Sequence, residues 1–257
     1  MSYEQVEKLI KDHAVEFVDL RFVDMSGRQH HITYPVRAAG PALFEDGRMF
    51  DGSSLAGWKG INESDMVLLP DAASAYLDPF TADPTLVLVC DVLEPATMQA
   101  YSRCPRSVAH RAEAFLKASG IADTAYFGPE PEFFVFDSVR WGNEMGHAFF
   151  EIDSEEAAWS AAREYPHGNS GHRPGVKGGY LPLPPSDTLH DLRGEMVKVL
   201  ESLGIETEVH HHEVATAGQC EIGVKFDALL TMADRLLTHK HVVRNVAHRA
   251  GKTATFM

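Results

Sequence analysis

Cysteine is scarce in this sequence: Cys90, Cys104 and Cys220 are the three in 257 residues, an odd number with no CxxC pair. That suits a reducing compartment better than a secreted disulfide framework. Nothing approaches the run of about 20 apolar residues that a bilayer crossing needs. The opening MSYEQVEKLIKDHA is charged and amphipathic, without the apolar stretch of a signal peptide. Positive charge is also in deficit. Lys and Arg total 23 against 37 Asp and Glu, a formal net charge of −14. No basic face is visible for a phosphate backbone, so a nucleic-acid partner is not expected. Neither a GxxxxGK[ST] P-loop nor a G-x-S-x-G elbow occurs, and no cysteine has an activating setting. P-loop nucleotide binding and nucleophilic serine or cysteine catalysis are therefore unlooked for. The expectation is a soluble, cytoplasmic protein with no membrane partner.

What is present is ordinary globular material, 44% hydrophobic and 23% charged, with room for one large domain or two modest ones. A short helix with Val6, Leu9 and Ile10 on one face leads into two β-rich runs, VEFVDLRFVD and QHHITYPV. These are joined by MSGR, where Gly27 supplies the permissive backbone. FEDGRMFDGSSLAGWKGINESDM reads as a long irregular loop, kept ordered by Phe44, Phe50 and Trp58. MVLLPD and TLVLVCDVL read as buried strands, and periodicity is then lost, which places a domain boundary near Tyr101.

Pro105 opens and Gly120 closes a helix. TAYFGPEPEFFVFD reads as one strand, and a Gly/Pro-rich loop runs from about His167 to Pro185. A helix capped by Ser186 or Asp187 ends at Gly204. The last helix runs from Asp227 to about Ala250 and stops at Gly251. Helices alternating with strands past residue 104 suggest an α/β layer behind a separate small β-rich domain.

The chemistry concentrates in two stretches. In HHHEVATAGQCE, a hairpin over a three-residue loop, Thr216-Ala217-Gly218, would set Glu213 opposite Glu221, with His211 on the same face. Like charges in that position destabilise a sheet unless something positive lies between them. In FGPEPEFFVF, Glu130 and Glu132 share one strand face, while Pro129 and Pro131 take the other and remove two ladder donors. A solvated turn and an edge strand guarded by charge and proline account for each stretch singly. Together, four glutamates without a matching basic cluster suit a hard cation such as Mg²⁺ or Mn²⁺, and two such ions would bridge a phosphoryl group. His210, His211 and His212 alternate in direction and cannot all bind one zinc ion. The glycine-rich GVKGGY, from Gly175 to Tyr180, is either a connector or part of the site.

Five segments in order, FDGSSLAGWKGINESDM, FGPEPEFFVFD, GHRPGVKGGYLPLPP, HHHEVATAGQCEIG and NVAHRAGKTATFM, resemble bacterial type I glutamine synthetase from about Val15 to Met257. EEAAWSAAREYPHGNSGHRPG resembles the subtype tuned by adenylylation. The resemblance implies an α+β protein. A small N-terminal β-grasp domain (1–103) would precede a glutamine synthetase catalytic domain with a curved antiparallel sheet and helices (104–257, truncated). It implies a homo-oligomer of two stacked six-membered rings, with each site completed by a neighbouring subunit. The implied reaction is ATP-dependent ligation of ammonia to L-glutamate through γ-glutamyl phosphate.

By motif, Glu132, Glu213 and Glu221 would hold a first Mg²⁺ or Mn²⁺, and Glu130 would be one ligand of a second, among the phosphates of the substrate ATP. Glu208 and Phe226 would lie in the ATP site, and Asp51 would accept a proton from ammonium in the neighbour's site. Family members continue past KTATFM, into the remaining ligands, the substrate arginines and the tyrosine on which an adenylylating regulator acts. The chain is therefore expected to be incomplete and by itself to make little or no glutamine. Relatives that use another amine, and non-catalytic assembly proteins of the same fold, are the alternatives.

Overall fold

Alternation of apolar and polar side chains builds the first half around a strand that is almost wholly buried. In the computed structural model, which describes residues 1–160, 164–166, 168 and 171–257, β1 (Phe17–Val23) is buried from Val18 to Val23. It turns at Gly27 (φ +80°) into the antiparallel β2 (Gln29–Pro35), so the expected hairpin is present. Helix α1 (Tyr3–Asp12) buries Val6 and packs Leu9 and Ile10 against the same core. Helix α2 (Pro41–Asp46) and strands β3 (Arg48–Asp51), β4 (Asp65–Pro70), β5 (Tyr76–Leu77), β6 (Thr85–Glu94) and β7 (Gln99–Ala100) follow. The sheet runs β2-β1-β6-β4-β3, with β5 and β7 also on β6, and β1 and β6 are parallel neighbours.

The stretch from Phe44 to Met66 is more regular than expected. It holds the end of α2, β3 and two short 3-10 turns (Gly52–Ser54 and Ile61–Glu63). The cause is aromatic packing. Phe50 lies 5.0 Å from Phe22 and 6.2 Å from Trp58, and Trp58 lies 5.3 Å from Tyr101. Tyr101 Oη donates to the Trp58 carbonyl (2.8 Å) and Arg103 to the Gly57 carbonyl (2.6 Å), which fixes the backbone beneath these rings.

Helix α3 (Pro105–Ser119) has proline in its first turn and ends on Gly120 in the left-handed conformation, as its punctuation predicts. Its buried Arg106 reaches Asp71 (2.6 Å), Asp91 (2.7 Å) and Asp234 (3.1 Å). By contacts the chain forms two compact units, 1–126 with 228–234, and 127–227 with 235–257. All four members of this ion cluster belong to the first.

The second unit is built on an antiparallel sheet in the order β12-β13-β9-β15. Its strands are β9 (Glu132–Phe136), β12 (Thr207–His212), β13 (Gln219–Val224) and β15 (Thr253–Thr255), and a separate hairpin is formed by β10 (Ser138–Glu144) and β11 (His147–Asp153). The alternation of helices and strands therefore does not signal a parallel α/β layer. The strand expected from Thr124 to Asp137 is broken into β8 (Tyr126–Phe127) and β9, because Pro129 and Pro131 interrupt the ladder.

Helix α4 (His190–Ser202) begins later than the expected cap at Ser186 or Asp187. The Asp187 carboxylate accepts from the Leu189 N–H (3.2 Å) and from both terminal nitrogens of the buried Arg193 (3.0 and 2.5 Å), a fork that sets the helix start instead. Gly204 (φ +74°) ends that turn of chain as predicted. After β14 (Asp227–Ala228), α5 (Leu229–Arg249) stops before Gly251 (φ +71°), close to its predicted limits. Of the expected loop from His167 to Pro185 and the segment 155–175, residues 161–163, 167, 169 and 170 lie outside the described residues.

Candidate metal centre

Glu221 sits on β13, an interior strand of the sheet, and its neighbours across the ladder are His211 on β12 and Glu132 on β9. The hairpin thus differs from expectation by two residues. Glu213 does not face Glu221; its N–H bonds the Gln219 carbonyl (2.9 Å), and the loop is five residues long, 214–218. Side chains lengthen that loop by satisfying its backbone donors. Glu213 Oε2 accepts from the Val214 N–H and Gln219 Oε1 from the Ala215 N–H, each at 2.6 Å. Because the shift is two and the strand period is two, Glu213, His211 and Glu221 stay on one face. The like-charge pair set directly opposite across the sheet is Glu132 with Glu221.

Gly218 keeps the expected left-handed conformation (φ +78°) and lies so close to β9 that a Cβ there would come 2.4 Å from the Val135 carbonyl oxygen. Its carbonyl accepts from the Val135 N–H (2.9 Å). Ligand-type atoms of His211, Glu213 and Glu221 lie within 4.8 Å of one another. His211 Nδ1 is 3.5 Å from Glu213 Oε1 and its Nε2 is 3.6 Å from Glu221 Oε2. Gln219 Nε2 donates to Glu132 Oε2 (2.6 Å), holding that carboxylate at the edge of the group. Burial raises the Glu221 carboxyl above its ordinary range, His211 opposes the shift, and Glu213, Glu130 and Glu132 add to it.

That repulsion is the test of fit for a cation. Glu213 and Glu221 with the His211 imidazole form a hard donor set of the kind that fits a divalent cation. Glu132 is not within that group but adds its charge from the next strand, and the cluster is electrostatically frustrated without positive charge. Glu130 precedes β9 rather than sharing its face, and is exposed, yet it acts on Glu221 through its charge. Glu208 is the extra residue where the β12–β13 register shifts between Thr207 and Val209, and is exposed. Phe226 follows β13 with its ring half exposed and its Cβ beside Gly128.

Asp51, in the first unit, ends β3 and is exposed. Its carboxylate accepts from Ser53 Oγ (2.6 Å), Ser53 N–H (2.8 Å) and Ser54 Oγ (3.1 Å), and these bonds, Ser53 first, hold its pKa below the ordinary value. It is a fixed anion at neutral pH.

Beneath the cradle lies Glu156, which sequence pattern did not single out, with the groups packed around it. Glu156, 1% exposed, accepts from His212 Nε2 (2.9 Å) and the Gly218 N–H (2.7 Å) on one oxygen, and from the Thr188 N–H (2.8 Å) and Oγ1 (3.0 Å) on the other. His212 Nδ1 points to the Glu213 carbonyl (2.8 Å). Both partners of this ring are acceptors, which favours its doubly protonated form. Burial opposes that charge, but Glu156 outweighs it and raises the His212 pKa, while burial of Glu156 is outweighed by the bond from His212, which lowers its own. On the same side of the sheet, Arg193 contacts Cys220 Sγ (3.5 Å) and His210 Nδ1 (3.4 Å). Burial and then Arg193 lower the His210 pKa, and burial pushes the Cys220 thiol up to about 12. The three histidines accordingly have three different environments. Only His211 faces the carboxylates, and the period of two was the available signal for it.

Among the described residues no helix is long and apolar enough to cross a membrane. Residues 14–95 match the family model described as glutamine synthetase, beta-Grasp domain, and residues 102–257 that described as glutamine synthetase, catalytic domain. Over all 257 residues the chain is 60% identical to a glutamine synthetase of Methylococcus capsulatus and 56% identical to one of Salmonella typhimurium, covering 55% of each. The structure of Plasmodium falciparum glutamine synthetase superposes with a TM-score of 0.90 at 27% identity, over 100% of this chain and 50% of that one. An apo GmaS structure shares the fold alone, at 21% identity and a TM-score of 0.75 over 97% of this chain and 51% of the other. The chain spans about half the length of the curated relatives it matches.

Proposed function

The chain belongs to the glutamine synthetase family, with a β-grasp domain ahead of a catalytic domain of curled sheet and helices, and from that premise we propose that its protein ligates ammonia to L-glutamate. ATP is the second substrate and γ-glutamyl phosphate the intermediate. We place the domain boundary at 103/104, just before α3, close to where the catalytic-domain match begins at residue 102. The observation that carries this reading is the convergence of Glu213 and Glu221 with His211, ligand-type atoms within 4.8 Å, beside Glu132 on the next strand.

Glu132, Glu213 and Glu221 would hold one Mg²⁺ or Mn²⁺, and Glu130 would contribute to a second. Bound there, divalent cations neutralise charge on phosphoryl oxygens. The protein's own residues supply the rest. The sheet fixes the carboxylates before the substrates arrive, so little reorganisation accompanies phosphoryl transfer. Glu208 and Phe226 border the ATP position. Asp51, held ionised by Ser53 and Ser54, favours an ammonium ion beside it and can take up the proton that must leave before nitrogen attacks.

The protein acts in the cytoplasm as a double six-membered ring, Asp51 serving the neighbouring subunit's site, and an adenylylating enzyme regulates it. This chain alone gives little or no turnover. The test is ATP-dependent glutamine formation with glutamate and Mg²⁺, with and without ammonium, alongside Mn²⁺ titration of this chain. Titration should give saturable Mn²⁺ binding that Glu213→Ala or Glu221→Ala weakens more than tenfold. Absence of saturable binding by the unsubstituted chain would overturn the metal assignment, and ammonium-dependent turnover by this chain would overturn its inactivity.

A further inference from the structure

The cradle's geometry depends on a residue that no ligand can reach. We infer that Glu156 is a positioning residue for the metal carboxylates, acting through the turn that carries Glu213 and Gln219; this rests on the metal reading proposed above.

The five-residue turn 214–218 has two ends, and Glu156 holds both from beneath. At one end it binds His212, whose other nitrogen bonds the Glu213 carbonyl and so orients the peptide from which that carboxylate departs. At the other it binds the Gly218 N–H, one residue before Gln219, the amide that grips both Glu132 and the Ala215 N–H. Ligands on separate strands, Glu132 on β9 and Glu213 beyond β12, are thereby set from one carboxylate. Thr188 fixes that carboxylate in turn, with two bonds to its second oxygen.

All four bonds to Glu156 come from donors. Glutamine in its place would turn an NH₂ group toward either Thr188 or the His212–Gly218 pair, donor against donor, and one side of the clamp would be lost. Glu156 is sealed from solvent and cannot itself bind a cation, so its influence on the metal is indirect, like that of other groups that orient ligands from behind.

The experiment compares this chain with its Glu156→Gln variant, using Mn²⁺ alone. Free Mn²⁺ is counted by its EPR signal, and amide hydrogen exchange is recorded without metal. Loss of a group of this kind weakens metal binding by about 10- to 100-fold, and faster exchange should be confined to about residues 212–219. Should the variant fail to fold, Thr188→Ala, which removes one of the four bonds, should weaken Mn²⁺ several-fold. Equal affinity in the variant and the unsubstituted chain would overturn the inference, and so would loss of exchange protection throughout β9, β12, β13 and α4, which marks a general structural role. Failure of the unsubstituted chain to bind Mn²⁺ is a different result: it overturns the metal reading and this inference with it.

Discussion

Gly218 shows how one backbone position can couple stability to a site. Its φ of +78° is costly for any residue with a Cβ, and that Cβ would overlap the Val135 carbonyl oxygen, which is backbone and cannot swing aside. Gly218→Ala should cost about 3 kcal/mol of stability, read from the urea midpoint. His239 is the opposite case, a buried side chain set edge-on to the rings of Phe133 and Phe256. Burial depresses its pKa to about 4 from 6.5. Between those values the unfolded chain binds the proton and the folded one does not, so stability is complete above pH 6.5 and falls as pH drops toward 4. The loss amounts to about 3 kcal/mol from this group. Denaturation between pH 7 and 4 should show it, and His239→Phe should flatten that limb of the curve.

At the level of elements, α3 is held to the first unit by Arg106 and its three aspartates. Burial works against the guanidinium's charge, but Asp234 and its companions raise its pKa well above the ordinary value. Arg106→Met would leave three carboxylates facing one another and should cost about 3 kcal/mol by denaturant unfolding, with Arg106→Lys restoring only part. Helix limits of this kind were legible where punctuation is local: Pro105 and Gly120 bracket α3, and Gly204 and Gly251 end their helices. The hairpin register was not, because it depends on Glu213 and Gln219 bonding backbone donors, which leaves no periodic trace. Nor was the β10–β11 hairpin, whose side chains are largely exposed on both faces and so lack the alternation that marks a half-buried strand. Four of the proposed site residues were legible as charge without countercharge, whereas Glu156 reads as one glutamate among many until the fold seals it.

For the whole molecule, a net charge of −14 with a concentrated carboxylate cluster makes folding sensitive to divalent cations. A cation that binds only the folded chain stabilises it by about 2.7 kcal/mol at one hundred times its Kd. Thermal unfolding with Mn²⁺ should therefore show a raised Tm that EDTA reverses, and Glu221→Ala should shrink the difference to about half or less at the same Mn²⁺ concentration. The division of the chain into units has another consequence, in time rather than in energy. The first unit takes in residues 228–234, among them Asp234, so its ion cluster cannot be finished when the first 126 residues leave the ribosome. Until 108 further peptide bonds are made between residues 126 and 234, Arg106 waits with two of its three partners. A nascent chain stalled before residue 234 should be cut by protease near α3, and one stalled well after it should be spared.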